Sequence, residues 1–529
     1  MSNELNGQDL IEAFWEAERL RCLDRCQEIL KSLEILSSQQ PTLEPWCKYL
    51  RGYLAFGMHR WAQAERILTD LLRTELKAAL RGYASYALGR TFDVQGRWQE
   101  AITAFEQTLS IFTKLGQTVE QARAWKHMAI TFHKGFTQGD FGSAVLQQAV
   151  AHCQSALDVL ELMRDPPPEI IYLKGSIWNT LGLIHVSLDQ LAEAIACYQQ
   201  DLVICRALDD RHGMGLTYGN LGEVYQKRKN WPEALQSYQQ ALRIIREFDD
   251  RYEETEALAN IAFLYQEMGD YDLALDSYSQ AIQIIETLRA GISSEAARAG
   301  FFATIINTYA NTMLLCLEAG RETQAFDYVE RARSRTFLDI LTARSPDLSR
   351  KMESSTMTLA EVQATLADDT LLLEYFTTGL LEARDKPAAN SKRHRFPPAK
   401  TLILAVTRSQ LQVVEVDLSP NDLRPRSLED VVEQHFLQPQ IRRTLYNKLI
   451  APVEHLLPGK RRLYLAPHGP LHYIPFQALL SPDGDTLLRE AGPQLIYAPS
   501  ATLLCQQRPG PAQAPKSCLS VGYNSQGET

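Results

Sequence analysis

The sequence predicts a mostly α-helical chain, in which a solenoid of helical repeats is followed by an α/β domain. Residues 178–281 contain three copies of one pattern at an offset of 40 residues, and weaker versions of it precede and follow them. Beyond about residue 346, short apolar runs of strand composition alternate with a helical segment. We therefore expect a solenoid over residues 1–345 and a second, α/β domain over residues 346–529.

The charge, the cysteine content and the missing motifs argue against several classes of protein. The 529 residues carry a net charge of −10, which argues against a dedicated nucleic-acid binder. Nine cysteines are scattered without a CxxC pair, as expected of reduced thiols in the cytoplasm rather than of disulfides or a zinc site. The first residues are polar and acidic, and no run of apolar residues is long enough to span a membrane. Phosphate-binding, dinucleotide-binding and metalloprotease motifs are missing, so we expect no cofactor and no metal.

The three copies share small and aromatic residues in fixed slots. A small residue follows an apolar one, an alanine comes twelve residues later, and a tyrosine comes four residues after that. The small residues are Gly182, Gly222 and Ala262, and the tyrosines are Tyr198, Tyr238 and Tyr278. This pattern resembles the tetratricopeptide repeat, whose usual period is about 34 residues. The resemblance implies antiparallel helix pairs that cross closely at the small residues, with a concave face that binds peptides.

About seven such units fit into residues 1–345. The prolines at 166–168 predict the end of a helix between two of them. The last, divergent unit ends in four arginines, namely Arg331, Arg333, Arg335 and Arg344. A solvated cationic helix end is the favoured interpretation of these arginines, and a docking surface for the next domain is the alternative.

Candidate peptide-binding residues come from the first helix of two adjacent copies. At positions i, i+3 and i+7 these are Asn220, Glu223 and Lys227 in one copy, and Asn260, Phe263 and Glu267 in the next. That spacing places each trio on one helix face. In tetratricopeptide proteins this helix lines the groove, and an asparagine in this slot often holds the backbone of an extended peptide. Alternatively, both asparagines bond to neighbouring helices and stabilise the stack.

The second domain contains apolar segments separated by polar ones. Strands are expected at 370–376, 401–407, 411–418, 461–467 and 518–524, a strand followed by a turn at 494–501, and an amphipathic helix at 440–457. The two strands of 401–418 form a hairpin. A basic, proline-rich loop covers 383–400; its KRHR sequence is typical of a solvated loop, with contact to nucleic acid as the less favoured alternative.

Several strings in this region resemble a CHAT domain, the caspase-like module that commonly follows tetratricopeptide repeats. They are ERARSRTFLDIL at 330–341, LIAPVEHLLPGK at 449–460, LYLAPHGPLHYIPFQALL at 463–480 and YAPSATLL at 497–504. The resemblance implies a cysteine endopeptidase fold with a His/Cys dyad. In that family both dyad residues lie downstream of the segment matching 497–524. We therefore expect the first half of the domain here, no catalytic residue in this chain, and no peptidase activity of the chain alone.

One pair could imitate that dyad. His468-Gly469 follows an apolar strand, and Cys518 lies 50 residues later, close to the caspase spacing. The sequence around Cys518, KSCLS, lacks both the caspase signature and an apolar strand that would deliver the thiol. Ser500 precedes a short helix and is interpreted as its N-cap rather than as a nucleophile.

The expected function is that of a repeat module that senses a protein or peptide partner, in a regulatory complex, and regulates a caspase-like peptidase module. Two alternatives remain open at this point. One is a non-enzymatic scaffold for protein–protein interaction. The other is a protease partner of an RNA-guided complex, in which contact with nucleic acid is only indirect.

Overall fold

The computed structural model describes residues 6–19, 22–291, 295–344, 356–379, 397–419, 439–486 and 492–506. These residues divide into two compact units, one ending at Met268 and the other starting at Gly269. The sequence predicted a boundary between two domains at residues 345 and 346. That boundary stays a prediction, because it concerns which part of the chain folds independently.

The first unit consists of helices that pack consecutively on one another. They are α1 (Gly7–Arg19), α2 (Leu23–Gln39), α3 (Glu44–Gly57), α4 (Trp61–Leu72), α5 (Ala78–Val94), α6 (Trp98–Lys114), α7 (Thr118–Thr137), α8 (Ala144–Glu161), α9 (Pro168–Ser187), α10 (Leu191–Ala207), α11 (Arg211–Lys227), α12 (Trp231–Glu247) and α13 (Arg251–Met268). The prolines at 166–168 lie in the connection between α8 and α9, and Pro168 is the first residue of α9. A backbone N–H at that position would have no hydrogen-bond partner within the helix, so proline is tolerated there.

The 40-residue offset is visible in the backbone. Helices α11 and α12 have 17 residues each and are separated by short connections. The first helix of each copy stops at a residue with positive φ, which is Asp189 (59°), Lys229 (57°) and Gly269 (80°) in turn. After Lys229, the Asn230 N–H donates to the Tyr225 carbonyl at 2.9 Å and closes the helix end. These helix ends recur at the same 40-residue offset as the sequence pattern.

Small residues lie where two helices of one repeat cross. A Cβ added to Gly182 would lie 2.5 Å from the ring of Tyr198, and one added to Gly222 would lie 2.5 Å from the ring of Tyr238. Both distances are shorter than atoms can approach, so only glycine fits. Ala262, in the same slot of the third copy, is fully buried.

The second unit begins with three long helices and continues into a mixed sheet. The helices are α14 (Tyr271–Gly291), α15 (Glu295–Glu318) and α16 (Glu322–Arg344), followed by a short α17 (Leu359–Thr365). The strands are β1 (Thr370–Thr377), β2 (Thr401–Val406), β3 (Leu411–Val416), β4 (Arg462–Ala466) and β5 (Gln494–Tyr497). In the order β3-β2-β1-β4-β5, β2 and β3 form the expected antiparallel hairpin, while β1, β4 and β5 run parallel.

The helix expected over 440–457 is shorter in the structure. Helix α18 (Pro439–Leu449) ends early and is followed by a 3₁₀ helix, Ala451–Leu456, because Pro452 cannot donate an α-helical hydrogen bond. A last short helix, α19 (Ala501–Gln506), follows β5. The strand expected at 518–524 and most of the basic loop at 383–400 lie outside the described residues.

Parallel strands bring their carboxyl ends to one edge of a sheet. Strands β1, β4 and β5 therefore end together, and the apolar side chains of β1 and β4 fill the core beneath them. In sheets of this kind, ligand and catalytic sites lie at that edge. Within the described ranges, no helix is both long and apolar enough to cross a membrane.

Candidate functional site

The first predicted trio lies on α11. Asn220 is half-buried, and its side-chain amide makes no hydrogen bond within the described part of the chain. Glu223 and Lys227 face each other one turn further on, with Oε1 and Nζ 3.7 Å apart. The amide is therefore available to a ligand, beside a weak ion pair.

The second trio lies on α13 in the same arrangement. Asn260 is half-buried and is likewise without a hydrogen bond from the residues that the structure describes, and Phe263 is half-buried one turn later. Glu267 is already engaged, because the Gln226 amide donates to its Oε2 at 2.6 Å. That bond joins α11 to α13, so the two trios lie on neighbouring helices. Glu267 is held in place by the fold and is the weakest candidate of the six for ligand contact.

A cavity of about 220 Å³ lies one repeat upstream. Thr180, which takes the slot of Asn220 and Asn260 in the first copy, lines this cavity together with Ser176, Asn179 and Lys126. Equivalent slots of a repeat face the same way, so the cavity and the trios belong to one face of the helices. We call this face the groove.

Asp201 is buried and lines the cavity. Its Oδ2 accepts hydrogen bonds from the Thr217 hydroxyl at 2.6 Å and from the Asn179 amide at 2.9 Å. Burial raises the pKa of this carboxyl, and the hydrogen bonds oppose the rise. The sequence held a signal for this site, since the other two copies have alanine, Ala241 and Ala281, in the slot of Asp201.

A second constellation lies at the carboxyl edge of the sheet and centres on Arg333 of α16. Its guanidinium donates to the carbonyl oxygens of Tyr375 at 2.6 Å, Ala466 at 2.9 Å, Pro467 at 2.7 Å and Pro499 at 2.6 Å. These carbonyls lie in β1, at the end of β4, and after β5. Arg333 thus ties the three parallel strands together at the edge where such sheets carry their sites.

Two buried carboxyls accompany Arg333. Glu374 of β1 places Oε1 3.3 Å from an Nη of Arg333, and neither oxygen accepts a hydrogen bond from the described residues. Glu330, one turn before Arg333, accepts the N–H groups of Ala501 and Thr502 at 3.0 and 2.6 Å, at the start of α19. Burial, and then the charge of Glu330, raise the pKa of Glu374 well above its usual range, while Arg333 opposes the rise.

The solvated interpretation of the arginine cluster is therefore wrong for the two members whose side chains are described. Arg333 is 4% exposed, and Arg331 pairs with Glu286 at 3.0 Å while lying over the ring of Tyr328. Arg335 and Arg344 have side chains outside the described set. The alternative, a surface that docks onto the next domain, fits Arg333, which bonds to the sheet, whereas Arg331 joins α16 to α14.

His468 is held by the sheet through a hydrogen bond and a ring contact. Its Nδ1 accepts the Thr377 N–H at 3.1 Å, and its ring stacks on Phe376 with centroids 4.6 Å apart. Burial, and then the neighbouring Arg333, lower the pKa of this imidazole well below its usual range. Cys518 lies outside the described residues, so the His468–Cys518 pairing stays without a geometry. The Ser500 Oγ accepts the Leu503 N–H at 3.3 Å, which confirms its N-cap position.

Comparisons with known families match both parts of the chain. A tetratricopeptide repeat family matches residues 174–247 and 213–287, a second tetratricopeptide repeat family matches 49–114, and the CHAT domain family matches 440–528. No curated protein sequence matches the chain.

Similar solved structures include the apo form of RapI, with 12% identity, a TM-score of 0.47, and coverage of 65% of this chain and 92% of RapI. A Rap protein complexed with competence and sporulation factor has 16% identity and a TM-score of 0.42, covering 63% and 86% of the two chains. Aspartyl phosphate phosphatase F from Bacillus subtilis has 14% identity and a TM-score of 0.38, covering 65% and 95%. The family matches, together with the helical repeats and the mixed sheet, give the chain the architecture of a protein-interaction module in which tetratricopeptide repeats are followed by a CHAT domain.

Proposed function

We propose that the repeats hold an extended peptide segment of a partner protein in the groove, and that its binding regulates the CHAT domain as a cysteine endopeptidase module. The observation that carries the first half is the pair Asn220 and Asn260. They occupy the same slot of adjacent repeats, are half-buried, and make no hydrogen bond within the described residues. A side-chain amide offers two donors and an acceptor, enough to pair one peptide unit regardless of its sequence.

The alternative role for these asparagines, stabilising the stack, would require hydrogen bonds to neighbouring helices. The bond that does join α11 to α13 uses Gln226 and Glu267 instead. Both asparagines are half-buried and leave their amides to solvent, so a ligand that bonds to them replaces water there. The geometry therefore favours ligand binding over stacking.

Regulation of the CHAT domain is supported by the position of Arg333. The residue belongs to the last repeat helix, α16, yet its four hydrogen bonds lie at the carboxyl edge of the sheet. A shift of α16 by even an ångström would break these short bonds, because hydrogen bonds weaken steeply with distance and angle. Such a helix can pass a change among the repeats on to the sheet.

Binding is tested with a peptide selected on the 529-residue chain from a random display library. We expect Asn220→Ala combined with Asn260→Ala to weaken this peptide by about tenfold or more, since two hydrogen bonds of roughly 1 kcal/mol each are lost. Asn230→Ala is the matched control, because Asn230 lies in the connection after α11 and its side chain makes no cap hydrogen bond. Equal affinity of the double variant and the parent, or a loss accompanied by a collapsed melting temperature, would assign the asparagines to the stack.

A further inference from the structure

Two buried carboxyls meet in the interior of the second unit. Glu330 on α16 and Glu374 in β1 are both fully buried. Strand β1 lies between β2 and β4, which place Leu404 and Ala466 beside Glu374 in register. Since neither neighbour has a polar side chain, a charge on Glu374 depends on α16 for its compensation.

Helix α16 supplies one positive and one negative group. The Arg333 guanidinium lies 3.3 Å from Glu374 Oε1 and donates to four backbone carbonyls. The two oxygens of Glu330 accept the N–H groups of Ala501 and Thr502 at 3.0 and 2.6 Å, which suits an ionised carboxylate. One guanidinium balances one carboxylate, so ionisation of both carboxyls would leave an uncompensated charge in the interior.

Glu374 therefore carries a proton in the folded protein. Its two oxygens accept no hydrogen bond from the described residues, and the group bonds instead to the Glu330 carboxyl. Two carboxyls can bond to each other only when one of them donates a proton. The pKa of Glu374 agrees, since burial and then the charge of Glu330 raise it well above its usual range, against the opposing charge of Arg333.

Two histidines that follow β4 leave this balance unchanged at neutral pH. Burial, and then the charge of Arg333, lower the pKa of His468 well below its usual range and that of His472 to about 4. Both imidazoles are thus neutral. Helix α19 has no charged side chain, so neither segment adds a charge to the two carboxyls.

Asp327 lies three residues before Glu330 on α16. Its carboxyl is directed to α17, where it accepts the Leu359 N–H at 2.9 Å. Because this bond keeps Asp327 at α17, ionisation of Glu374 is the event that places two carboxylates side by side.

We propose that the proton between Glu374 and Glu330 is a latch on α19: while it is bound, Glu330 holds the start of α19, and when it passes to water the start of α19 separates from α16. Glu374 cannot move away, because β1 is hydrogen-bonded on both sides. Arg333 fixes α16 to the sheet. Helix α19 has six residues, so repulsion between the two carboxylates is relieved there. This latch lies outside the groove and acts without the peptide.

Cys505 on α19 reports this separation in the 529-residue chain. Its half-buried sulfur accepts the Thr365 hydroxyl at 2.9 Å, whereas Cys22 is exposed. A pulse of iodoacetamide at each pH, followed by peptide mass spectrometry, gives the ratio of Cys505 to Cys22 labelling. This ratio removes the pH dependence that thiols share. We expect it to rise about tenfold between about pH 6 and about pH 9, as the loss of one proton allows.

Glu374→Gln keeps the shape of the side chain and donates to Glu330 without a titratable proton, so its labelling ratio should stay low at every pH. Glu415→Gln is the matched control, because Glu415 is exposed on β3 of the same sheet, and it should retain the rise of the parent. A ratio that is flat in the parent, or a rise that persists in Glu374→Gln, would overturn the latch.

Infrared spectra of the parent test the shared proton without relying on a variant that must fold. A protonated carboxyl absorbs apart from carboxylates and backbone amides. We expect a component of this absorption to disappear with the same midpoint pH as the rise in Cys505 labelling. Absence of such a component would contradict a shared proton. Peptide binding at Asn220 and Asn260 is measured separately, so failure here leaves that result readable.

Discussion

Gly222 lies where the two helices of its repeat cross, and its environment can be tested against a nearby glycine. A Cβ at Gly222 would lie 2.5 Å from the Tyr238 ring, whereas one at Gly219, on the same helix, would meet nothing within 4 Å. We expect Gly222→Ala to destabilise the protein by about 1–3 kcal/mol, the usual range for overpacking. Gly219→Ala should instead stabilise it by up to about 1 kcal/mol, because alanine favours the helix.

Denaturant melts of both variants measure this difference. Equal effects of the two substitutions would mean that the glycine slot of the repeat is not a close crossing.

Glu374 makes a pH-dependent contribution to stability. Its pKa is raised in the folded protein by burial and by Glu330, so folding favours the protonated carboxyl. The contribution is fully present below the unfolded pKa, near 4.5, and is lost as pH rises toward the raised folded value. We expect Glu374→Gln, which keeps a neutral side chain, to remove this decline, whose slope for one proton is at most about 1.4 kcal/mol per pH unit.

Melting temperatures of the parent and of Glu374→Gln, taken from about pH 5 to about pH 8, show whether the two curves diverge as expected. Glu361→Gln is the matched control. Hydrogen bonds to Thr358 lower the pKa of Glu361, so its stabilising contribution is constant in this window and is lost only below it. Parallel curves for the parent and Glu374→Gln would show that Glu374 is ionised in the folded protein.

At the scale of elements, the residues that end the first helix of each copy recur at the 40-residue offset. Lys229 stops α11 with φ of 57°, the conformation that glycine takes at Gly269 in the next copy. A side chain in this conformation costs roughly 1–2 kcal/mol. We expect Lys229→Gly to stabilise the protein by about 1 kcal/mol, after the added flexibility of the unfolded chain is counted.

Arg228 provides the comparison, because it lies one residue earlier in the right-handed helical region. Arg228→Gly should destabilise by about 1 kcal/mol, since glycine gains nothing there. Thermal melts of the two variants that shift in the same direction would contradict the assigned helix end.

Local sequence patterns were sufficient to predict most of the helices and strands. Repeat slots predicted the helix pairs, and apolar runs predicted β1 to β5. The helix predicted over 440–457 is too long. Its amphipathic spacing continues across Pro452, but the α-helical backbone hydrogen bonds do not.

Arg333 could not have been recognised from its neighbours in sequence. Its carbonyl partners lie between 42 and 166 residues away, so a pattern of arginines at a helix end predicts a solvated face equally well. Asn220 and Asn260 were selected as candidates because they recur at the repeat offset, and their role as ligand-binding residues stays a prediction. Lys126 and Asp201 were missed because their residue types do not recur in the equivalent slots of the other repeats. Such a difference indicates a site only when the structure shows that both residues border the cavity.

At the scale of the whole molecule, the repeats and the sheet are linked through the chain that runs from α13 into α14, α15 and α16. In the proposed mechanism, ligand contact in the groove is the event that is sensed, and the hydrogen bonds of Arg333 are where the sheet responds. If binding regulates the CHAT domain, occupancy of the groove must change the protection of backbone amides at the carboxyl edge of the sheet.

Hydrogen–deuterium exchange of the 529-residue chain, with and without the selected peptide, tests this link most directly. We predict changed protection in β1, β4 and β5 on binding, and no such change in the variant that combines Asn220→Ala with Asn260→Ala. A peptide that alters exchange among α9 to α13 while leaving the three strands unchanged would contradict regulation and leave a peptide-binding scaffold.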